Sequence, residues 1–150
     1  MNTTRTLEPL RGHIVLVHGL GEHMGRYQHV IQHLNDWGFA VRAYDQYGHG
    51  TASGKRGCLP STDRLLDDLA LVIDDTRKQM ATQDHANLPL ILLGHSMGGN
   101  VVMSYAGVRA ERIRRLVNLE GFGMPETKPA QAPTRYAQWF DQLKQFHKGE

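Results

Sequence analysis

Apolar residues fall in two alternating rhythms along this chain. His13 to His18 (HIVLVH), Phe39 to Tyr44 (FAVRAY), Leu88 to Leu93 (LPLILL) and Arg115 to Leu119 (RLVNL) are short runs rich in branched apolar side chains. Runs of this length predict strands buried on both faces of a parallel sheet. Between them the period changes to that of a helix. Tyr27, Val30, Ile31, Leu34 and Trp37 mark a helix over 25–37, with Gly38 placed as the residue that ends it. Leu65, Leu66, Leu69, Val72, Ile73 and Met80 mark a longer one, with Ser61 as its N-cap, Asp63 in its first turn, and Asp67, Asp68, Asp74 and Asp75 turned to water. A third runs from Gly98 to about Ala110.

The alternation βαβαβαβ predicts an α/β fold: a doubly wound parallel sheet of about four strands, with right-handed crossovers and helices on both faces. Residues 1–12 read as an irregular N-terminal segment, 13–123 as the core, and 124–150 as a Pro-rich linker followed by an amphipathic, cap-like helix. Tyr136, Trp139, Phe140, Leu143 and Phe146 form the stripe of that helix, which would face the core, a site or a partner. At 150 residues the chain is long enough for one real core.

Composition removes several classes of function. Hydrophobic content is 40%, charge 21% and net charge +2, the balance of an ordinary globular protein with no field for nucleic acid. Arg109, Arg112, Arg114 and Arg115 are the densest basic group and read as a solvated helix end. Cys58 is the only cysteine, so no internal disulfide can form. Neither a signal-peptide h-region nor a membrane-length apolar run is seen, and the expectation is a cytoplasmic protein.

The chemistry is concentrated in Gly94-His95-Ser96-Met97-Gly98-Gly99, between the third strand and the third helix. A G-x-S-x-G at a strand-to-helix turn is a nucleophile elbow, which lifts one hydroxyl above the sheet and aims the next N–H at the same space. Ser96 is the candidate nucleophile. The developing oxyanion needs donors, and Met97 N–H and Leu20 N–H, the latter from the His18-Gly19-Leu20-Gly21 loop, are the candidates. His18, Gly19, Gly21, His95 and Gly98 shape the site. His18, His23, His49 and His95 read as groups that orient backbone rather than as bases. His29 and His33 share a helix face but lack a third ligand, so neither a metal nor a cofactor is expected. Asp45 either orients a group at the sheet edge or caps the turn that follows.

His18-Gly19-Leu20-Gly21-Glu22-His23, Gly25-Arg26-Tyr27, Asp45-Gln46-Tyr47-Gly48-His49-Gly50, Gly54-Lys55-Arg56-Gly57 and the elbow together resemble the monoacylglycerol lipase and lysophospholipase branch of the α/β-hydrolases over residues 12–99. Residues 100–145, with Leu119-Glu120-Gly121-Phe122-Gly123, look more like another branch, as though two were joined near the elbow. The resemblance implies a serine hydrolase of acylglycerol or short-chain acyl esters, with Ser96 as nucleophile and Leu20 and Met97 as oxyanion donors. Tyr47 stands where that branch usually has arginine. In α/β-hydrolases the acid and base follow the serine on later strands, whereas here only His147 follows Ser96 among histidines. The triad partners are therefore unknown, and the chain resembles the middle of the fold, as if truncated, for which the resemblance implies the strand order second, first, third, fourth, with the elbow at the switch point. Beside the enzyme stands a second reading: a non-catalytic remnant, binding an acyl ligand or forming a homo-oligomer through the bare edge of the fourth strand or through residues 134–147.

Overall fold

The computed structural model describes residues 9–56, 58–61 and 63–121. The expected linker and cap-like helix lie outside these residues. Four parallel strands, β1 (Gly12–Val17), β2 (Phe39–Tyr44), β3 (Leu90–His95) and β4 (Arg115–Leu119), form one sheet in the order β2-β1-β3-β4. Three α-helices connect them: α1 (Gln28–Asp36), α2 (Arg64–Thr82) and α3 (Met97–Val108). This is the doubly wound α/β arrangement that the alternation predicts, in the strand order that the α/β-hydrolase resemblance implies.

Alternation along each strand divides the apolar residues between two cores. Val15 and Val17 of β1 and Leu90 and Leu92 of β3 face α2 and α3, where Leu65, Leu69, Ile73, Met80, Val101, Val102 and Tyr105 close over them. Ile14 and Leu16, Val41 and Ala43 of β2, and Ile91 and Leu93 face the other way, onto Ile31 of α1. Val15, Leu16, Val17, Leu69, Ile73 and Leu92 are fully buried. Each such side chain contributes about 1.5–3 kcal/mol by leaving water.

Element ends differ from the expected ones where local polar chemistry intervenes. The first helix opens as a 3-10 turn over Met24–Tyr27, because the Met24 N–H is held by Asp45 Oδ1 at 2.8 Å and the chain enters the helix tightly. Gly38 ends it as expected, at φ +92 with its N–H on Asn35 O. β3 starts at Leu90 rather than Leu88, since Pro89 has no N–H for the ladder; its carbonyl still accepts from His13 N at 2.9 Å. Asp63, not Ser61, sits at the N-cap of α2, and its side chain makes no capping bond. The first turn is held by Arg64 instead, which pairs with Asp68 at 2.9 Å and lies over the Tyr47 ring, 4.5 Å from its centroid. Two of the acids expected to face water are further employed: Asp75 pairs with Arg42 at 2.6 Å and Asp74 with Arg112 at 2.5 Å.

Register positions the site. Val17 pairs with both Tyr44 and Gly94, and His95 with Leu119, so all four strands end level at their carboxyl edge. β1 leads to β2 on one side, and the return through α2 places β3 on the other. The switch point thus lies between β1 and β3, where open α/β sheets form their crevices.

Candidate active site

Ser96 adopts φ 54 and ψ −119 between β3 and α3, a left-handed conformation that costs a non-glycine residue about 1–3 kcal/mol. The turn is sharp enough to demand missing side chains around it. A Cβ on Gly94 would overlap the Gly98 carbonyl, and one on Gly98 would overlap the carbonyls of Val17 and His18. The helix therefore starts in contact with the end of β1, and the first-turn N–H groups of α3, Met97 among them, have no partner within the helix.

The loop after β1 meets this turn directly. A Cβ on Gly19 would lie 3.1 Å from Ser96 Cβ, 3.3 Å from His95 Nδ1 and 2.6 Å from Glu22 Oε2. His18, fully buried, fixes one side of the loop. Gln46 N–H donates to its Nε2 at 3.0 Å, so the proton resides on Nδ1 and goes to the Gly19 carbonyl at 2.8 Å. Burial holds this imidazole below the ordinary histidine range, consistent with a neutral ring. The Gln46 side-chain amide returns a bond to His18 O at 2.7 Å. Gly21 takes φ +71, the left-handed turn that lets the chain double back toward Glu22. Leu20, between the two glycines, has its side chain 66% exposed at the rim.

Spacing alone gives Glu22 no role, yet its side chain joins three partners here. Its Oε2 accepts from Gly19 N–H at 2.7 Å, Tyr27 O–H at 2.7 Å and His95 Nδ1–H at 3.0 Å. Partial burial opposes its charge, but the bonds from Tyr27, His95 and Gly19 hold the carboxyl down at about 2. The other His95 nitrogen lies 3.8 Å from Glu120 Oε2, and Glu120 is 82% exposed at φ 59 just past β4. The signal for Glu22 and Tyr27 was present in the HGLGEH and GRY motifs, but only the fold shows that their side chains converge.

The remaining expected groups have structural tasks. Asp45 caps: Oδ1 takes Met24 N–H, and Oδ2 takes Thr51 N–H at 2.9 Å and Thr51 Oγ1 at 3.0 Å. Its burial works against ionisation, and these bonds outweigh it, lowering the carboxyl below its ordinary range. His49 Nδ1 lies 2.9 Å from Tyr47 O. His29 and His33 are exposed on α1, and no group of three metal-ligating side chains occurs among the described residues. Past Ser96 the described residues contain no histidine; His147 lies outside them. His95 makes no hydrogen bond to Ser96 Oγ, its Nδ1 being given to Glu22. Gly121 seats the chain after β4 against Gly99, where a Cβ on either would overlap Asn118 Oδ1.

A strained serine at a strand-to-helix turn, glycines at the crowded positions and a second glycine loop across a switch point define an α/β-hydrolase. The sequence profile described as serine aminopeptidase, S33, matches residues 8–146, running through both stretches whose resemblance differed, and the chain belongs to that family. It is 43% identical over 95 residues to a monoacylglycerol lipase of Mycolicibacterium smegmatis, covering 63% of this chain and 32% of that protein. To the human monoglyceride lipase it is 35% identical over 96 residues, covering 64% and 30%. Among solved structures, the Paleococcus ferrophilus monoacylglycerol lipase superposes with a TM-score of 0.61 at 38% identity, over 77% of this chain and 42% of that one. The chain spans about a third of the length of these curated relatives.

Proposed function

We propose that this chain carries the nucleophile and oxyanion pocket of a serine hydrolase that cleaves carboxylic esters, acylglycerols or short-chain acyl esters, with Ser96 as nucleophile. Ser96 Oγ attacks the acyl carbon and gives its proton to a general base. The carbonyl oxygen takes the negative charge and receives N–H bonds from Leu20 and Met97. As the oxyanion collapses and the ester C–O bond breaks, the base returns that proton to the departing alcohol oxygen, leaving an acyl-serine, which water, giving its proton to the same base, then hydrolyses. The observation that carries this reading is the conformation of Ser96, φ 54 and ψ −119, with Gly19 packed against its Cβ. Strain of that kind is retained where a function needs it. The acylglycerol substrate is drawn from the names of the relatives, and the family's description adds aminoacyl amides as the competitor.

No described side chain is hydrogen-bonded to Ser96 Oγ, so we assign the base that turnover needs to a group outside the described residues. Without one, oxyanion stabilisation and binding alone leave only about 10³–10⁴-fold over water. That keeps a second reading in place: a hydrolase-derived binding or oligomerising module. Its support is β4, the edge of the sheet among the described residues, whose Leu116, Val117 and Leu119 are 37–46% exposed. A cytoplasmic location fits the single, exposed thiol of Cys58, and no helix among the described residues is long and apolar enough to cross a membrane.

A fluorophosphonate probe separates the readings. Labelling of the chain, lost in Ser96→Ala, with turnover of p-nitrophenyl butyrate or a monoacylglycerol, is the expected result for the ester hydrolase. Preference for aminoacyl p-nitroanilides would move it to the peptidase chemistry, and a folded but unlabelled chain would leave only the module.

A further inference from the structure

We infer that Glu22 is a positioning residue that ties the two halves of the oxyanion pocket to each other. This rests on the proposal that Leu20 and Met97 are its donors. Those donors belong to loops far apart in sequence, one after β1 and one after β3; the β1–β3 ladder sets the ends of the loops level, and their fine placement beyond the ladder needs a group that touches both. Glu22 Oε2 does: it holds Gly19 N–H at 2.7 Å on the first loop and His95 Nδ1–H at 3.0 Å on the second, one residue before Ser96. Tyr27 O–H at 2.7 Å orients the carboxylate from behind.

The consequence for Leu20 follows from peptide geometry. The His18–Gly19 peptide is gripped at its carbonyl by Gln46 Nε2 at 2.7 Å and at its N–H by Glu22. The next peptide is gripped at the Gly19 carbonyl by His18 Nδ1 at 2.8 Å. In a trans peptide the N–H points away from the C=O. With the Gly19 carbonyl drawn inward to the buried His18 ring, Leu20 N–H is turned away from that ring, and no backbone or side-chain acceptor takes it among the described residues. Glu22 thus leaves one donor free by immobilising the peptide before it. A donor held in place before the charge develops spares reorganisation when it does.

The test compares Glu22→Ala, Glu22→Gln and Tyr27→Phe in the full chain. Two quantities are followed: exchange of the Gly19 amide hydrogen by NMR, and, for fluorophosphonate labelling and p-nitrophenyl butyrate, rate and KM separately. In Glu22→Ala the Gly19 amide should exchange at least about tenfold faster. The labelling rate and kcat should fall by about 10–100-fold, less than for loss of a donor itself, while KM stays within about twofold. Glu22→Gln, which keeps an acceptor oxygen, should recover part of both, and Tyr27→Phe should fall between it and wild type. Unchanged Gly19 exchange in a folded Glu22→Ala, or faster exchange with labelling intact, overturns the inference. An unlabelled wild type overturns the hydrolase reading alone, and Gly19 exchange then decides by itself whether Glu22 fixes the loop. Should the alanine variant not fold, the glutamine and Tyr27 variants carry the same comparison.

Discussion

Ser96 is held in its strained conformation by atoms that leave no alternative, and the glycines around it are the cheapest place to measure this. Gly98→Ala would drive a methyl into the carbonyls of Val17 and His18. We expect it to cost about 3 kcal/mol or more, at the upper end for single substitutions, with a matching drop in the urea midpoint. Gly107→Ala, in the same helix and with nothing within 4 Å of the added carbon, is the control and should be neutral or slightly stabilising. Charge at the site has its own signature. Glu22 has a folded value near 2 against 4.5 in the free side chain, so it binds fewer protons folded than unfolded. Its contribution is complete above about pH 4.5 and is lost as pH falls toward 2. His13 and His18 are also depressed by burial, His13 further by His85 beside it, so their effect has the same sign in an earlier window, below about 6.5. Stability should therefore decline in two stages on acidification. Urea melts from pH 7.5 to 3 would show it, and Glu22→Gln should flatten only the lower stage.

At the level of elements, α2 and β3 carry the larger core. Leu92 is fully buried between strands and beneath α2 and α3, and Leu92→Ala should cost about 2–5 kcal/mol. Leu71→Ala, on the 67% exposed face of α2, should stay within about 0.5 kcal/mol, and paired urea melts check both. These elements are legible because their signal is periodic: Leu65, Leu66, Leu69, Val72, Ile73 and Met80 recur at helical spacing, and β1 and β3 are continuous apolar runs. Their ends were less so, because an end is decided by single contacts. Nothing local says that Arg64 will settle over Tyr47, or that His18 will leave the ladder so that Gln46 can take its carbonyl. The site divides the same way. Ser96, Leu20 and Met97 stand in spacings with a mechanical meaning, whereas Glu22 and Tyr27 acquire theirs only when His95 arrives from 68 residues beyond Tyr27.

For the whole molecule the feature to test is the outer strand of the described sheet. Among the described residues β4 is an edge strand, with Leu116, Val117 and Leu119 each more than a third exposed. We expect the chain to elute from size exclusion larger than 16.9 kDa. Val117→Lys, which places a charge on the edge, should shift it toward the monomer. A monomeric wild type at high concentration would count against pairing there.

The ladder between β1 and β3 has one further implication, for chain connectivity. Val17 against Gly94 and Leu16 against Leu93 keep the two site loops abreast, and a slip of one residue would displace them by about 3.3 Å, more than a hydrogen bond tolerates. Alignment of the site is thus a property of the sheet and not of the covalent path, which wanders through the exposed stretch at Lys55 and Arg56 before returning as β3. A single tryptic nick there should leave two fragments that stay associated under native conditions and keep Ser96 as reactive as in the uncut chain, separating only when the sheet itself is denatured.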